Sequence, residues 1–286
     1  MKETAPAKVN LCLFLGGVRS DGRHELVTLF ESVSLADQLE LTVLHEGPDQ
    51  VSCPGVEEPN LVSAALRALR EAGWTGPPVH VEIDKRIPVA AGLGGGSADA
   101  AAALRLAHAV EPLEDGVAER IARDLGADVP SQLRPGLWLG AGAGEELVPV
   151  APLAAHAFVI VPQSFPLATA EVYREADRLG LQRSPNELAG RHRAMVAAAT
   201  PGATLSDEIV VSDLQPATVS LAPEVSQALE DVRAAGAEQA LVCGSGPTVM
   251  GVYWGEPPGS RAWKGLRRLR GKYPQAVLAT PILASQ

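Results

Sequence analysis

The chain has few of the features that mark disulfide-rich, metal-binding or membrane proteins. Its 286 residues include three cysteines, Cys12, Cys53 and Cys243, which are widely separated and odd in number. This spacing gives no disulfide framework and no paired metal motif, so it predicts a reducing, cytoplasmic environment. No apolar run reaches the roughly 18 residues of a membrane-spanning helix. The first residues lack the apolar region of a signal peptide, and we expect no membrane partner.

Positive charge is also scarce. The chain carries 34 acidic and 24 basic residues, a formal net charge of −10. This balance argues against general affinity for nucleic acid or for an anionic membrane. Because salt screens charge over about 8 Å, local charge matters more than the total. An anionic substrate must therefore be attracted by helix termini, by a metal ion and by a few basic side chains.

A glycine-rich run is the most informative segment. Residues 88–103 read PVAAGLGGGSADAAAA, with four glycines inside five positions followed by a predicted alanine-rich helix. Glycine lets bare backbone N–H groups approach an anion, and a helix N-terminus adds partial positive charge. We expect Ser97 either to cap this helix or to reach a bound phosphate. The run therefore predicts a phosphate-binding loop.

Two better-known phosphate motifs do not fit this run. The Walker pattern needs a lysine after its last glycine, and Ser97 stands there. The dinucleotide pattern needs a third glycine where this chain has Ser97 or Asp99. A flexible linker is the alternative, but linkers are polar on both sides. Here Val79, Val81 and Ile83 alternate as in a half-buried strand that leads into the run.

The remaining pattern predicts an α+β protein with two domains, residues 1–152 and 153–286. Predicted strands are 7–15, 26–35, 39–44, one from 79, one from 158, 239–243, 248–253 and 276–283. Predicted helices are 61–72 with Asn60 as its cap, one after the glycine run, 116–125 ended by Gly126, 169–179 capped by Thr169, 187–199, 223–235 and 260–272.

A second glycine turn, Gly244-Ser-Gly-Pro-Thr248, lies between two predicted strands. In isolation it predicts an ordinary hairpin loop. Two Gly-Ser turns in one chain, both rich in backbone N–H groups, also fit a pair of turns that face one another across a cleft between domains.

Three segments together resemble a known family. Lys8-Val-Asn-Leu11, Pro88-x-x-x-Gly-Leu-Gly-Gly-Gly-Ser97 and Gly244-Ser-Gly-Pro-Thr248 are similar to the three motifs of the GHMP kinases, the superfamily of galactokinase, homoserine kinase, mevalonate kinase and phosphomevalonate kinase. Further markers are Asp21-Gly-Arg-His24, Asn60-Leu61, Gly126-Ala-Asp-Val-Pro130 and Thr169-Ala-Glu-Val-Tyr173. They resemble the branch that phosphorylates diphosphocytidyl-methylerythritol in non-mevalonate isoprenoid synthesis.

The resemblance implies an N-terminal domain like the second domain of ribosomal protein S5 and a ferredoxin-like C-terminal domain. It implies transfer of the ATP γ-phosphoryl group to a tertiary hydroxyl, with Mg²⁺ arriving on the nucleotide and no residue assigned as a metal ligand. The expected partners are a small-molecule substrate and ATP, with no nucleic acid, in a monomer or a homodimer.

The resemblance also implies roles for individual residues. The catalytic pair falls on Lys8 and Asp128. The ATP site falls on Asn60, Pro88, Val89, Ala90, Ala91, Gly92, Leu93, Gly94, Gly95, Gly96, Ser97 and Ala98. The substrate site falls on Asn10, Arg23, His24, Tyr173, Gly244, Ser245 and Gly246.

Each assignment has a structural alternative. Asp128 could be a turn aspartate and Lys8 an exposed lysine at a strand end. His24 could be a loop histidine satisfied by its neighbours, and Tyr173 a core aromatic. Arg23 stands where the family usually has tyrosine, although a guanidinium plane also stacks on a base.

Two other functions therefore stay open. One is a kinase of the same fold that acts on a homoserine-like or sugar-like alcohol, for which Arg23 is the support. The other is a ligand-binding regulator without turnover, against which the presence of both Lys8 and Asp128 argues.

Overall fold

The structure is a computed structural model that describes residues 1–56, 60–255 and 260–282. The strands are β1 Lys2–Val18, β2 His24–Val43, β3 Gln50–Ser52, β4 Val79–Asp84, β5 Leu137–Ala141, β6 Glu146–Pro149, β7 His156–Val161, β8 Gln239–Val242, β9 Val249–Trp254 and β10 Val277–Ala279. The helices are α1 Leu61–Glu71, α2 Gly95–Val110, α3 Val117–Leu125, α4 Val129–Gln132, α5 Thr169–Leu179, α6 Pro185–Ala198, α7 Gln215–Leu221, α8 Glu224–Ala234 and α9 Arg261–Leu269.

The chain forms two compact units that interleave along the sequence. Unit 1 comprises Met1–Ala7, Leu35–Val89 and Gly94–Pro135, and unit 2 comprises Lys8–Ser34, Ala90–Leu93 and Gly136–Gln286. The long strands β1 and β2, which pair with each other, each contribute to both units. The predicted domain division at residue 152 stays a prediction, because these units are defined by compactness and not by independent folding.

Unit 1 packs helices on a small sheet. The second half of β2 pairs antiparallel with β4, which pairs parallel with β3. The alternation of Val79, Val81 and Ile83 places all three in the core with helices α1, α2 and α3. Helix α2 forms because alanine has the highest helix propensity. Its residues from Ala98 to Ala107 are buried except for Arg105, because small side chains let neighbouring elements pack closely.

Unit 2 contains a four-stranded antiparallel sheet in the order β10-β7-β9-β8. Numbered along the chain, these are the fourth, first, third and second strands. Helices α5 to α8 precede the second strand, and α9 precedes the fourth. This is the split βαβ arrangement of ferredoxin-like domains. Elsewhere in unit 2, the first half of β2 pairs with β5, which pairs with β6.

Several predicted elements need correction. The strands predicted at 26–35 and 39–44 are one strand, β2. The polar residues at the middle of β2 do not interrupt it, because they form hydrogen bonds with other segments. Ser34 N donates to Thr280 O at 2.8 Å, and Ser32 Oγ accepts from Gly136 N at 3.1 Å. Five short elements were not predicted: β3, β5, β6, α4 and α7. The last predicted strand is shorter, and its final position, 283, lies outside the described residues.

Candidate active site

A buried lysine lies in the middle of β1. The Lys8 residue is 5% exposed, and its Nζ donates to Asn10 Oδ1 at 2.8 Å. Asn10 Nδ2 donates to Thr28 Oγ1 at 2.7 Å, which donates to Cys12 O at 2.6 Å. The ammonium also stands 5.3 Å from the centroid of the Phe30 ring. Lys8 is therefore a fixed internal cation, and the alternative of an exposed lysine at a strand end is wrong.

Both glycine turns contribute backbone close to this lysine. Gly92 has φ +78°, and a β-carbon built on it would lie 2.3 Å from Cys243 O. A β-carbon on Gly244 would lie 3.2 Å from Gly92 O and 3.5 Å from both Lys8 Nζ and Asn10 Oδ1. At Gly92 only glycine leaves room for this approach, and at Gly244 the φ of +54° favours glycine. Residues of all three motifs thus meet within unit 2.

The second turn is an ordinary hairpin loop in its connections, because it joins the antiparallel strands β8 and β9. It is anchored by neighbouring helices. Ser245 Oγ shares a 3.0 Å hydrogen bond with Thr169 Oγ1, and Thr218 Oγ1 donates to Ser245 O at 3.3 Å. Thr169 is the first residue of α5 and Ala168 is its cap, so the predicted Thr169 cap is wrong. The Thr169 hydroxyl bonds to the turn instead.

The predicted phosphate loop ends at α2. Gly94 is the N-cap with φ 69°, so Ser97 is the third helical residue and its predicted capping role is wrong. Ala90 is the one described non-glycine residue with a clearly positive φ, 54°. Strained backbone of this kind clusters at functional sites. In the predicted ATP segment, Val89, Ala90 and Gly96 are exposed, Pro88, Gly92, Gly94, Gly95 and Ser97 are half-buried, and Ala91, Leu93 and Ala98 are buried.

Asn60 caps α1 as predicted, and its side chain keeps one unused donor. Its Oδ1 accepts from Ser63 N at 3.0 Å. Its Nδ2 is buried and has no hydrogen-bond partner among the described residues. A buried donor without a partner costs free energy in the empty protein. Such a donor is available for a ligand acceptor.

Asp128 lies at the turn between two helices. Gly126 ends α3, and Asp128 is the half-buried N-cap residue of the short helix α4, which has Pro130 in its first turn. Ser131 Oγ donates to the Asp128 carbonyl at 2.8 Å. The fixed φ of proline and this hydrogen bond hold the backbone that carries the carboxylate.

His24 and Tyr173 are brought together in unit 2. Their ring centroids are 5.0 Å apart with an interplanar angle of 41°, and His24 Nε2 bonds to Asp177 Oδ1 at 2.7 Å. Arg23 is directed to Asp21, with Nε and Nη2 at 3.1 and 2.9 Å from Oδ2. Hydrogen bonds from the Arg23 backbone and side chain lower the pKa of the Asp21 carboxyl. The Arg23 guanidinium is thus tied to the Asp21 carboxylate.

Comparisons with known proteins identify the family of the chain. The family model described as "GHMP kinases N terminal domain" matches residues 60–136, and "GHMP kinases C terminal" matches residues 195–271. The chain is 40% identical to 4-diphosphocytidyl-2-C-methyl-D-erythritol kinase from Rhodococcus jostii over 85% of this chain and 81% of that protein. The chain belongs to the GHMP kinase family.

Two further similarities cover nearly the whole chain. A 4-diphosphocytidyl-2-C-methyl-D-erythritol kinase from Moorella thermoacetica is 37% identical over 96% of this chain and 97% of its own length. A crystal structure of 4-(cytidine 5'-diphospho)-2C-methyl-D-erythritol kinase covers 100% of both chains at 33% identity with a TM-score of 0.77. The predicted GHMP fold is confirmed. As a GHMP kinase, the chain is an ATP-dependent phosphotransferase.

Sequence reasoning missed polar groups that support the GHMP motifs. Thr28 links Asn10 to the β1 backbone, and Thr169 holds Ser245. Thr28 gave a signal, because it is a polar residue inside the apolar run of β2. Among the described residues, no three His, Cys, Asp or Glu side chains converge as a metal site. No helix in that part of the chain is long and apolar enough to cross a bilayer.

Proposed function

We propose that this GHMP kinase transfers the γ-phosphoryl group of ATP to the 2-hydroxyl of 4-diphosphocytidyl-2-C-methyl-D-erythritol, a step in isoprenoid precursor synthesis. The observation that carries the proposal is the meeting of Lys8 and Asn10 with Gly92 and Gly244 in unit 2. Phosphoryl transfer depends mainly on positioning and on charge stabilisation, which a fixed cation beside the backbone of two glycine turns would supply. The names of the relatives supply the acceptor.

The nucleotide is assigned to Asn60 and to the segment from Pro88 to Ala98. The free Asn60 Nδ2 is the donor that would meet an adenine acceptor. The amides of the glycine loop and the N-terminus of α2 would hold the phosphates. Mg²⁺ would arrive on the ATP phosphate oxygens, which are its preferred ligands.

Asp128 and Lys8 are assigned to the chemistry. A tertiary alcohol is a crowded, weak nucleophile, so a carboxylate must orient it and accept its proton. Asp128 would take that role from its helix-capping position. The Lys8 ammonium would offset negative charge that develops on the transferred group, and Asn10 fixes its direction.

The cytidylyl part of the acceptor is assigned to His24 and Tyr173. Their neighbouring rings would offer an aromatic surface to a pyrimidine. Arg23 would contact the base or the diphosphate only after leaving Asp21. The substrate assignment of Asn10, Gly244, Ser245 and Gly246, a cytoplasmic location and a monomeric or homodimeric state complete the proposal.

The test is turnover of the purified chain with Mg²⁺, ATP and the cytidylylated alcohol, followed by ADP release and the product mass. We expect Asp128→Asn to lower kcat by roughly 10²–10⁴, the scale for losing a general base. Asp124→Asn, on the exposed side of α3, is the matched control and should turn over normally. Normal turnover by Asp128→Asn would remove Asp128 from the chemistry.

A further inference from the structure

A buried cluster of three charged side chains lies in unit 1, outside the residues assigned above. Lys85, just after β4, places its Nζ 2.5 Å from Asp37 Oδ2 and 2.8 Å from Asp99 Oδ2. The side chains of Asp37, Asp99 and Lys85 are 0%, 5% and 14% exposed. Asp37 belongs to β2 and Asp99 is the fifth residue of α2. We call these three residues the triad.

The triad joins the two ends of the glycine loop. Before the loop, Asp37 Oδ1 accepts from the backbone N of Arg86 and of Ile87 at 2.5 and 2.8 Å. After the loop, Asp99 receives the Lys85 ammonium. A β-carbon built on Gly95, the first residue of α2, would lie 3.0 Å from Ile87 Cγ2 and 3.2 Å from Lys85 Nζ. The segments before and after the loop therefore pack against each other at the triad.

The triad is costly as a stability device. Burial raises the pKa of the Asp99 carboxyl to about 7, against the lowering effect of the Lys85 ammonium. Burial works against the charge on Lys85, but the two carboxylates outweigh it and raise its pKa. Asp99 Oδ1 is also buried without a hydrogen-bond partner among the described residues. Apolar residues of similar volume often stabilise a protein as well as a buried ion pair does. We therefore explain the triad by the single conformation that it specifies for this part of the chain, and not by added stability.

We propose that Asp37, Lys85 and Asp99 are positioning residues that hold the glycine loop in its nucleotide-binding conformation before ATP arrives. The inference rests on the proposed function of that loop. A loop ordered in advance loses less conformational entropy when the ligand binds, so the triad strengthens ATP binding without touching the acceptor. The two carboxylates act at different places: Asp37 fixes the backbone that enters the loop, and Asp99 fixes the helix that leaves it.

The first test breaks the link to α2 and leaves Lys85 paired with Asp37. We expect Asp99→Ala to raise the KM for ATP and the Kd for ADP by roughly 10- to 100-fold, the scale of losing one hydrogen bond between charged groups. The KM for the acceptor should change less than about two-fold. Asp99→Asn keeps an acceptor for Lys85 and should recover most of the loss.

The matched control is another half-buried ion pair of unit 1. Asp49 accepts from Arg70 Nε and Nη2, both at 2.8 Å, and from Val79 N at 3.0 Å. Asp49→Ala should lower the Tm and leave the KM for ATP unchanged. The inference is overturned when Asp99→Ala lowers the Tm as Asp49→Ala does and keeps the wild-type KM for ATP.

The second test uses the wild-type chain and does not depend on variant folding. Without nucleotide, the backbone amides of Arg86 and Ile87, which donate to Asp37, should exchange their hydrogens slowly. The amide of Ala98, which donates to Gly94 O at the start of α2, should also exchange slowly. Fast exchange there that slows only after ATP is added would contradict ordering in advance. Absence of ATP turnover by the wild type would instead remove the proposed function, and the exchange result would still stand.

Discussion

At Gly92 the backbone alone determines which residue fits. Its φ of +78° disfavours any side chain, and a β-carbon would lie 2.3 Å from Cys243 O, well inside contact distance. The clash is with a backbone carbonyl, which cannot rotate away as a flexible side chain does. The close approach of the two turns therefore depends on one missing methyl group.

A glycine substitution usually combines two costs, the strain of a positive φ and a steric clash of the new β-carbon. Comparing Gly92 with Gly116 separates these two costs. We expect Gly92→Ala to destabilise the protein by roughly 1–3 kcal/mol more than Gly116→Ala, because overpacking adds to the shared cost of positive φ. Gly116 has φ +76° with no atom within 4 Å of its β-carbon position. Urea denaturation measures both variants, and equal losses would show that the turns do not constrain each other.

Asn60 combines a structural and a proposed binding role in one amide. Asn60→Ser keeps an oxygen that can cap α1 and removes the donor that has no partner. We expect a stability no lower than that of the wild type, because the unpartnered donor is gone, and a KM for ATP raised roughly 2- to 10-fold, the worth of one hydrogen bond. Asn60→Ala should also lose about 1 kcal/mol from the missing cap. A wild-type KM for ATP in Asn60→Ser would exclude an adenine contact.

At the scale of elements, the sequence predicted what local chemistry determines. The Asn60 cap of α1, the Gly126 end of α3 and the hairpin at Gly244 are confirmed because neighbours in the chain form them. The single strand β2 and the short strand β5 were not predicted, because partners distant in sequence stabilise them. Strand β6 pairs with its neighbour β5 but has only four residues. Short segments also give too few turns or alternations to show a period.

The same limit applies to the site. The motifs predicted which residues belong to it, but not that Lys8 is buried beside Asn10 or that Gly92 packs on Cys243. The triad gave no local signal, since Asp37 and Lys85 are 48 positions apart. Its clearest trace is Asp99, an aspartate inside the alanine-rich helix α2.

A buried histidine–glutamate pair links strands β7 and β2 in unit 2. His156 Nε2 lies 2.8 Å from Glu31 Oε2, and both side chains are nearly fully buried. Burial lowers the pKa of His156, but hydrogen bonding and charge from Glu31 outweigh it and raise the pKa above the ordinary value. The protonated histidine therefore stabilises the folded state.

The sign of the pH effect follows from that direction. The stabilisation is complete below about pH 6.5, the unfolded pKa, and is lost as pH rises through the higher folded pKa. We expect the difference in unfolding free energy between wild type and His156→Gln to shrink as pH rises from 6 to 9. Denaturation curves at several pH values measure it, and a constant or growing difference would contradict the assignment.

The whole molecule combines a strongly acidic composition with a locally cationic site. The net charge of −10 disfavours anions at long range, so an anionic substrate depends on fixed local groups such as Lys8 and the loop amides. Because Arg23 stands where the family pattern has tyrosine, the recognition that we propose for the cytidylyl group would rest on His24 and Tyr173. Substrate choice is thus the property that we expect Arg23 to affect most.

The most direct measurement is therefore the ratio of kcat/KM for 4-diphosphocytidyl-2-C-methyl-D-erythritol to that for the same alcohol without its cytidylyl group, at saturating Mg²⁺ and ATP. We expect the cytidylylated alcohol to be preferred by at least about 100-fold, roughly 2.7 kcal/mol of differential binding in the transition state. Equal rates on the two alcohols, or turnover of a homoserine-like or sugar-like alcohol alone, would contradict the proposed acceptor.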